Sequence, residues 1–139
     1  MATAITGGCM CGAVRYESSG DPVVGAMCYC RDCQHSSGTA MASLLIVPKA
    51  AFKFTKGEVK YYEVTADSGN KVSRGFCANC GSPILSTLTA MSDVVGIKAG
   101  SLDDPNKFNP GVNVYMASAP EWAPVLADVI RFDRMPPRQ

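Results

Sequence analysis

Residues 28–33 read CYCRDC and place three of the chain's seven cysteines within six positions. The other four cysteines fall in two further short motifs, GGCMCG at residues 7–12 and FCANCG at residues 76–81. A single cysteine is most often a buried apolar residue. Seven cysteines grouped into three tight motifs instead indicate metal binding or disulfide bonding.

The spacings within these motifs are typical of zinc ligands. Zinc takes thiolate ligands at about 2.3 Å in a tetrahedron, so neighbouring sulfurs must come within about 4 Å of each other. A Cys-x-x-Cys turn achieves this because the chain reverses between its cysteines, and Asn79 and Gly81 suit such a turn since both residue types tolerate positive φ. A Cys-x-Cys pair on a strand points both side chains to one face and needs a local bend, which the flanking glycines permit.

The seven cysteines therefore divide into a set of four and a set of three. The motifs GGCMCG and FCANCG each supply half of a predicted structural zinc site, the four-cysteine cluster of Cys9, Cys11, Cys77 and Cys80. The CYCRDC motif supplies three ligands from one loop, the cysteine triplet of Cys28, Cys30 and Cys33. Three protein ligands with one open position are typical of a reactive zinc, so we predict two zinc ions per chain, the second of them open to a substrate.

Three alternatives for the cysteines stay open. Burial as isolated apolar side chains does not explain the tight grouping. Disulfides are disfavoured by the odd number of cysteines and by the N-terminal sequence MATAITGGCMCGAVRYE, which lacks the pattern of a signal peptide. The strongest alternative is a pair of purely structural zincs, in which water or His35, the only histidine, completes the ligands of the triplet.

Length and composition predict one globular domain over residues 1–139. Hydrophobic residues make up 47% and charged residues 18% of the chain, which argues against disorder. A net charge of +1 without a basic face argues against nucleic acid and anionic membranes as partners. No apolar run approaches the roughly 20 residues of a membrane span. We therefore expect a cytoplasmic protein whose thiols stay reduced, while the oligomeric state stays open.

Glycine and proline, with 13 and 9 residues, divide the chain into short segments that favour strands. Helical patterning is limited to two turns, one at RDCQHSS after Cys30 and one at PKAAFKF, which Pro48 could begin. These features predict a mainly β fold, a sandwich or an open barrel, with the C-terminal APEWAPVLADVIRF covering the sheet through Trp122. The predicted strands are Ala13–Ser18, Met41–Pro48, Val59–Thr65, Lys71–Cys77, Asp93–Ala99 and Val112–Ser118.

The motifs GGCMCGAVRYE, CYCRDCQHSSG and RGFCANCGSPI resemble, in order and spacing, the glutathione-dependent formaldehyde-activating enzyme family, also called the centromere protein V/Gfa domain. The resemblance covers roughly Ile5 to Phe132. It implies a compact Mss4-like β fold and the same division of zinc ligands into four and three, with the second zinc more labile. It also implies condensation of formaldehyde with glutathione to S-hydroxymethylglutathione, a carbon–sulfur lyase activity. Many members of the family carry histidine where this chain has Tyr29.

Together, the ligand count and the resemblance predict that glutathione, or another small thiol, becomes the fourth ligand of the triplet zinc and attacks formaldehyde or a related carbonyl. Arg31 is predicted to moderate the charge of the site or to bind a substrate carboxylate. Arg74 is predicted to contact the four-cysteine cluster, and Tyr61, Tyr62 and Phe76 to lie in the core. Two alternatives stay open: a zinc enzyme acting on a different thiol or carbonyl, and a non-catalytic two-zinc module.

Overall fold

The computed structural model describes residues 4–136, which form a mainly β structure with 44% strand and 14% helix. Within these residues no helix is long and apolar enough to cross a membrane. One α-helix, α1, covers Arg31–Ser37, and four short 3-10 helices cover Lys49–Ala51, Ala99–Ser101, Pro105–Lys107 and Met116–Ser118. The eleven strands of the described part are β1 Ile5–Gly8, β2 Arg15–Ser18, β3 Val24–Cys28, β4 Ala42–Pro48, β5 Phe52–Lys56, β6 Lys60–Thr65, β7 Lys71–Phe76, β8 Pro83–Leu88, β9 Met91–Lys98, β10 Pro110–Val114 and β11 Ile130–Arg131.

The strands form two sheets. An antiparallel three-stranded sheet has the order β1-β2-β5. An eight-stranded sheet has the order β11-β10-β3-β4-β9-β8-β7-β6, in which β10 runs parallel to both neighbours and the other pairs are antiparallel. Its edge strands, β11 and β6, do not pair with each other among the described residues, so the sheet does not close into a barrel. The predicted mainly β fold is confirmed.

The main core lies between the two sheets. Leu45, Ile97 and Leu85 are register partners on β4, β9 and β8, and none of them is more than 2% exposed. Tyr16 of β2 packs in the same cluster and stacks on Phe52 of β5, with 5.3 Å between the ring centroids. Alternation along the strands therefore turns one face of the eight-stranded sheet toward the core. The opposite face carries the polar groups described below.

All six predicted strands overlap observed ones, namely β2, β4, β6, β7, β9 and β10. The prediction over Val112–Ser118 is wrong after Val114, because Tyr115 has a φ of 57° and a 3-10 helix follows it. The turn predicted at PKAAFKF forms only over Lys49–Ala51, and the residues after it pair with β2 as strand β5. The sequence patterns did not predict β1, β3, β5, β8 and β11.

Three aromatic side chains that were predicted to be covered are exposed. Trp122 is 68% exposed, so the C-terminal segment does not cover the sheet through this residue. Ala123 of the same segment packs around the buried Tyr29. Tyr61 and Tyr62 are 47% and 67% exposed, because β6 is an edge strand with a neighbour on one side only.

An ion pair links the small sheet to the loop after β9. Arg15 hydrogen-bonds both carboxylate oxygens of Asp103, with 2.9 Å between Nη1 and Oδ1, and Thr6 donates from Oγ1 to Oδ2 at 2.7 Å. The hydrogen bond from Arg15 is the main cause that lowers the pKa of Asp103 from 3.8 to about 2. The folded form therefore gains stability above the unfolded pKa and loses it as the pH falls through this window.

We expect Asp103→Asn to lower the free energy of unfolding by about 0.5–1 kcal/mol, since the Asp103 side chain is 46% exposed. Urea unfolding should show a constant loss between pH 5.5 and 8 and a smaller loss below about pH 4. Glu17→Gln, which breaks the more exposed pair with Lys53, is the control and should cost less. A loss that already shrinks between pH 8 and 5.5 would contradict this assignment.

Candidate metal centres

The four-cysteine cluster brings together sulfurs from two distant turns. Cys9 and Cys11 follow β1, whereas Cys77 and Cys80 follow β7. The four Sγ atoms all lie within 4.8 Å of one another, with 3.6 Å between those of Cys9 and Cys11 and 3.8 Å between those of Cys11 and Cys77. A tetrahedron with zinc–sulfur bonds of about 2.3 Å requires sulfur separations of about 3.8 Å. The cluster therefore fits a tetrahedral metal ion.

Each of the two motifs forms a turn that directs its cysteine side chains toward the centre of the cluster. The N–H of Gly12 donates to the carbonyl of Cys9 at 3.2 Å, and the N–H of Gly81 donates to that of Cys77 at 2.8 Å. Both glycines have left-handed φ values, 81° and 79°. Residues with a Cβ rarely adopt this conformation, so the two motifs need glycine where the chain turns back.

Hydrogen bonds to two of these sulfurs favour the thiolate form. The N–H of Val14 donates to Cys9 Sγ at 3.2 Å, and Ser82 Oγ lies 3.1 Å from Cys80 Sγ. The hydrogen bond from Ser82 is the main cause that lowers the pKa of Cys80 to about 5. Ser82 Oγ also accepts from the N–H of Met10 at 3.1 Å, so it connects the two turns. Metal binding requires thiolates, and these hydrogen bonds stabilise the thiolates of Cys9 and Cys80.

The cysteine triplet lies where strand β3 leads into helix α1. Cys28 ends β3, Cys30 is the N-cap of α1, and Cys33 lies in the first turn, with all three Sγ atoms within 4.8 Å of one another. Cys30 Sγ accepts from the N–H of Cys33 at 3.3 Å and so takes the capping role that Ser, Thr or Asp usually has. The helix ends at Ser37 and is capped by Gly38, whose φ is 74°. The helical turn predicted after Cys30 is confirmed as α1.

The structure brings together the same two sets of cysteines that the spacings predict, and all seven are free thiols. Within residues 4–136 no His, Asp or Glu side chain joins the triplet. His35, the alternative fourth ligand, is exposed and lies outside this group. The triplet therefore offers three ligands and one open position, whereas the four-cysteine cluster is complete. Zinc binding by either set stays a prediction.

Two cations lie beside the triplet, and the sequence patterns assigned neither of them to it. Arg74 of β7 donates from Nη2 to Cys33 Sγ at 3.7 Å. Burial lowers the pKa of Lys98, and the charge of Cys33 opposes this lowering, so Lys98 lies near the triplet. The prediction that Arg74 contacts the four-cysteine cluster is therefore wrong. Val95 and Ile97 of β9 point into the core, so Lys98 points to the opposite face of the sheet. The sequence indicates this orientation only when the core face of β9 is already known.

The thiols of the triplet shift one another's pKa, because their sulfurs lie within 4.8 Å of one another. Hydrogen bonds from Cys28 and Cys30 are the largest causes that lower the pKa of Cys33 to about 2, and Arg74 and Lys98 lower it as well. Hydrogen bonding to the neighbouring sulfurs also raises the pKa of Cys28. Arg74, which donates to Cys33 Sγ, therefore favours negative charge on this sulfur.

Tyr29 lies between Cys28 and Cys30 in the sequence but packs apart from them. Its side chain is 0% exposed and packs with Met27 and Ala40, in a different cluster from the one around Cys28. Burial raises the pKa of its hydroxyl group. A side chain at this position therefore supports the triplet from the core rather than reaching its sulfurs.

Arg31 lines a cavity of about 230 Å³ beside α1. Its guanidinium donates to Gln34 Oε1, and Nη2 lies 3.4 Å from His35 Nε2. Gln34, His35 and Trp122 line the same cavity, so the one histidine and the one tryptophan of the chain meet there. The role of Arg31 in binding a substrate carboxylate stays a prediction.

The fold and the two cysteine clusters define a mainly β protein equipped to hold metal ions. The chain belongs to the glutathione-dependent formaldehyde-activating enzyme family, whose model matches residues 4–118. A crystal structure of a Rhodobacter sphaeroides protein is similar in fold, with a TM-score of 0.58 and 19% sequence identity over 70% of this chain and 87% of that chain. No curated protein matches the chain.

Proposed function

We propose that this protein is a zinc-dependent enzyme that condenses a small thiol, glutathione, with formaldehyde or a related small carbonyl compound, a reaction of the carbon–sulfur lyase type. Membership of the family supports the thiol and carbonyl chemistry. The observation that carries the proposal is the difference between the clusters, since one offers four sulfurs and the other three. Four thiolates saturate a tetrahedral ion, whereas three leave a position for a substrate.

The donor sets of both clusters suit zinc, because tetrahedral sets of thiolates are typical of zinc and of iron–sulfur centres. In this proposal the four-cysteine cluster holds a structural zinc and the cysteine triplet holds the reactive one. Zinc bound to the triplet supplies Lewis-acid stabilisation of negative charge and lowers the pKa of a thiol in its open position. We further propose a cytoplasmic location, where the seven free thiols stay reduced.

The surroundings of the three sulfurs determine from which side a substrate approaches. Cys28 and Cys33 are 7% and 4% exposed, whereas Cys30 is half-buried. Ala42 and Val114 pack against the two buried cysteines and exclude water from that side. The substrate therefore reaches the triplet past Cys30, at the beginning of α1.

Arg31 is the candidate for recognising the rest of the thiol substrate. It directly follows Cys30, its side chain is exposed in the cavity beside α1, and its guanidinium can bind a carboxylate with two parallel hydrogen bonds. Glutathione carries two carboxylates, whereas 2-mercaptoethanol carries none. We therefore expect Arg31 to contribute to glutathione binding without taking part in the chemical step.

The test of the function is a titration of the zinc-loaded protein with glutathione and formaldehyde, with hemithioacetal formation followed by NMR. We expect the protein to accelerate the reaction above the spontaneous rate. A rate equal to the spontaneous one, with both metal ions bound, would exclude this reaction. A non-catalytic two-zinc module would give that result.

We expect Arg31→Gln to raise the KM for glutathione about tenfold and to leave kcat nearly unchanged, since a charged hydrogen bond contributes about 1.5–3 kcal/mol. The matched measurement uses 2-mercaptoethanol, whose KM should not change because it has no carboxylate. Lys49→Gln removes an exposed charge elsewhere and serves as the control variant. Equal KM changes for both thiols would rule out carboxylate binding by Arg31.

A further inference from the structure

The register of the eight-stranded sheet places Lys98 on the same face as Cys28. Cys28 of β3 is the register partner of Ala42 on β4. Lys98 of β9 is the register partner of Leu44, which lies two positions after Ala42 on the same strand. Register partners and residues two positions apart point to the same side of a sheet. The lysine therefore lies on the side of the triplet, opposite the main core.

Arg74 reaches the same face from the other direction. It is the register partner of Ser86 on β8, and Ser86 is the register partner of Gly96 on β9. Gly96 lies two positions before Lys98, so Arg74 and Lys98 share a side of the sheet. Arg74 Nη2 lies 3.7 Å from Cys33 Sγ, so this side of the sheet contacts the triplet.

Both cations have buried donor atoms that lack a protein acceptor. Within the described residues, neither Arg74 Nε nor Lys98 Nζ has a hydrogen-bond partner. Burying a charged donor without an acceptor is costly, so such groups usually mark the place of an anion, a water molecule or a ligand. Arg74 directs one donor to Cys33, whereas no hydrogen bond joins Lys98 Nζ to a sulfur of the described residues.

We propose that Arg74 and Lys98 form an anion-binding site beside the open position of the triplet, which makes that position prefer a thiolate over a neutral ligand. The inference rests on the proposed function in one respect, the binding of zinc by the triplet. A divalent ion with three thiolates has a formal charge of about −1, and a thiolate as fourth ligand makes it about −2. The two cations together supply the opposite charge. A neutral ligand would leave them partly uncompensated.

The test uses the full-length protein with cobalt in place of zinc, because the absorption of Co²⁺ reports a change of ligand. The probes are 2-mercaptoethanol, which binds as a thiolate, and imidazole, which binds as a neutral ligand. We expect Lys98→Met and Arg74→Gln each to weaken 2-mercaptoethanol binding about tenfold to a hundredfold. Imidazole affinity should stay within about twofold. The saturated four-cysteine cluster contributes an absorption that the probes do not change.

Lys60→Met is the matched control, because it removes the same charge from an exposed position of β6 and should change neither affinity. Lys98→Arg should restore thiolate binding. The proposal would be overturned if the substitutions weakened the binding of both probes equally, or the binding of neither. It would also be overturned if the spectrum of the unaltered protein did not change on addition of the thiol. If Lys98→Met does not fold, Arg74→Gln and Lys98→Arg decide the question. The measurement needs no turnover, so an absence of formaldehyde condensation would remove the proposed function and leave this inference intact.

Discussion

Replacing Cys77 by serine is expected to remove the cooperative unfolding transition or to lower Tm by more than about 20 °C. Cys77 is 1% exposed, and its Sγ lies 3.8 Å from that of Cys11. Binding of a structural zinc contributes on the order of 10 kcal/mol in small zinc-binding peptides, which is comparable to the whole stability of a domain, about 5–15 kcal/mol. Thermal unfolding followed by circular dichroism, together with metal content by mass spectrometry, measures this effect.

The large effect has a topological reason. Cys9 and Cys11 follow a strand of the three-stranded sheet, whereas Cys77 and Cys80 follow a strand of the eight-stranded sheet. A metal ion bound by all four would therefore hold the two sheets together. The control is Ser82→Ala, which keeps the four thiolates but loses the hydroxyl group beside Cys80 and should cost about 1 kcal/mol. A Cys77→Ser protein with normal Tm and metal content would show that the cluster is not a structural metal site.

Replacing Cys30 by serine is expected to reduce formaldehyde condensation more than about a hundredfold while the protein stays folded with one zinc ion. The change leaves two thiolates in the triplet, too few to retain zinc against the solvent. The helix should survive, because serine is a preferred N-cap and can accept from the N–H of Cys33 as the sulfur does. Metal content, Tm and the condensation rate of the same preparation give the three readouts.

Cys30→Ala separates metal binding from helix capping. It should lose the second zinc as Cys30→Ser does and, in addition, about 1 kcal/mol of stability, because alanine cannot cap α1. Undiminished condensation by Cys30→Ser would mean that the triplet is not the reactive site. Loss of both zinc ions from Cys30→Ser would mean that the two clusters depend on each other.

The two sets of cysteines could be predicted from the sequence because spacing within each short motif indicates which sulfurs lie together, and because a tetrahedral zinc needs two such pairs to complete four ligands. A turn of four residues or a strand–helix junction brings such sulfurs together whatever the rest of the fold does. The positions of Arg74 and Lys98 could not be predicted in this way. Their place beside Cys33 depends on the pairing of β7, β8, β9 and β4, and no local pattern contains that information.

The same distinction explains the errors in the predicted strands. Strand β3 has no alternation, since its last four residues are all buried in the middle of the sheet, and its glycine and alanine resemble a loop. The aromatic residues of β6 suggested a core strand, whereas an edge position leaves Tyr62 exposed. The position of a strand in the sheet decides its burial, and composition alone does not show that position.

The sulfurs of the triplet and the positive charges beside it come from different parts of the chain, which has a consequence for divergence within the family. All three sulfurs of the triplet come from residues 28–33, while the neighbouring positive charges come from β7 and β9. A lineage can therefore exchange the side chains at positions 74 and 98 without altering the motif that is proposed to bind the ion. Members with identical cysteine signatures could thus accept chemically different partners, and the signature by itself would not distinguish them.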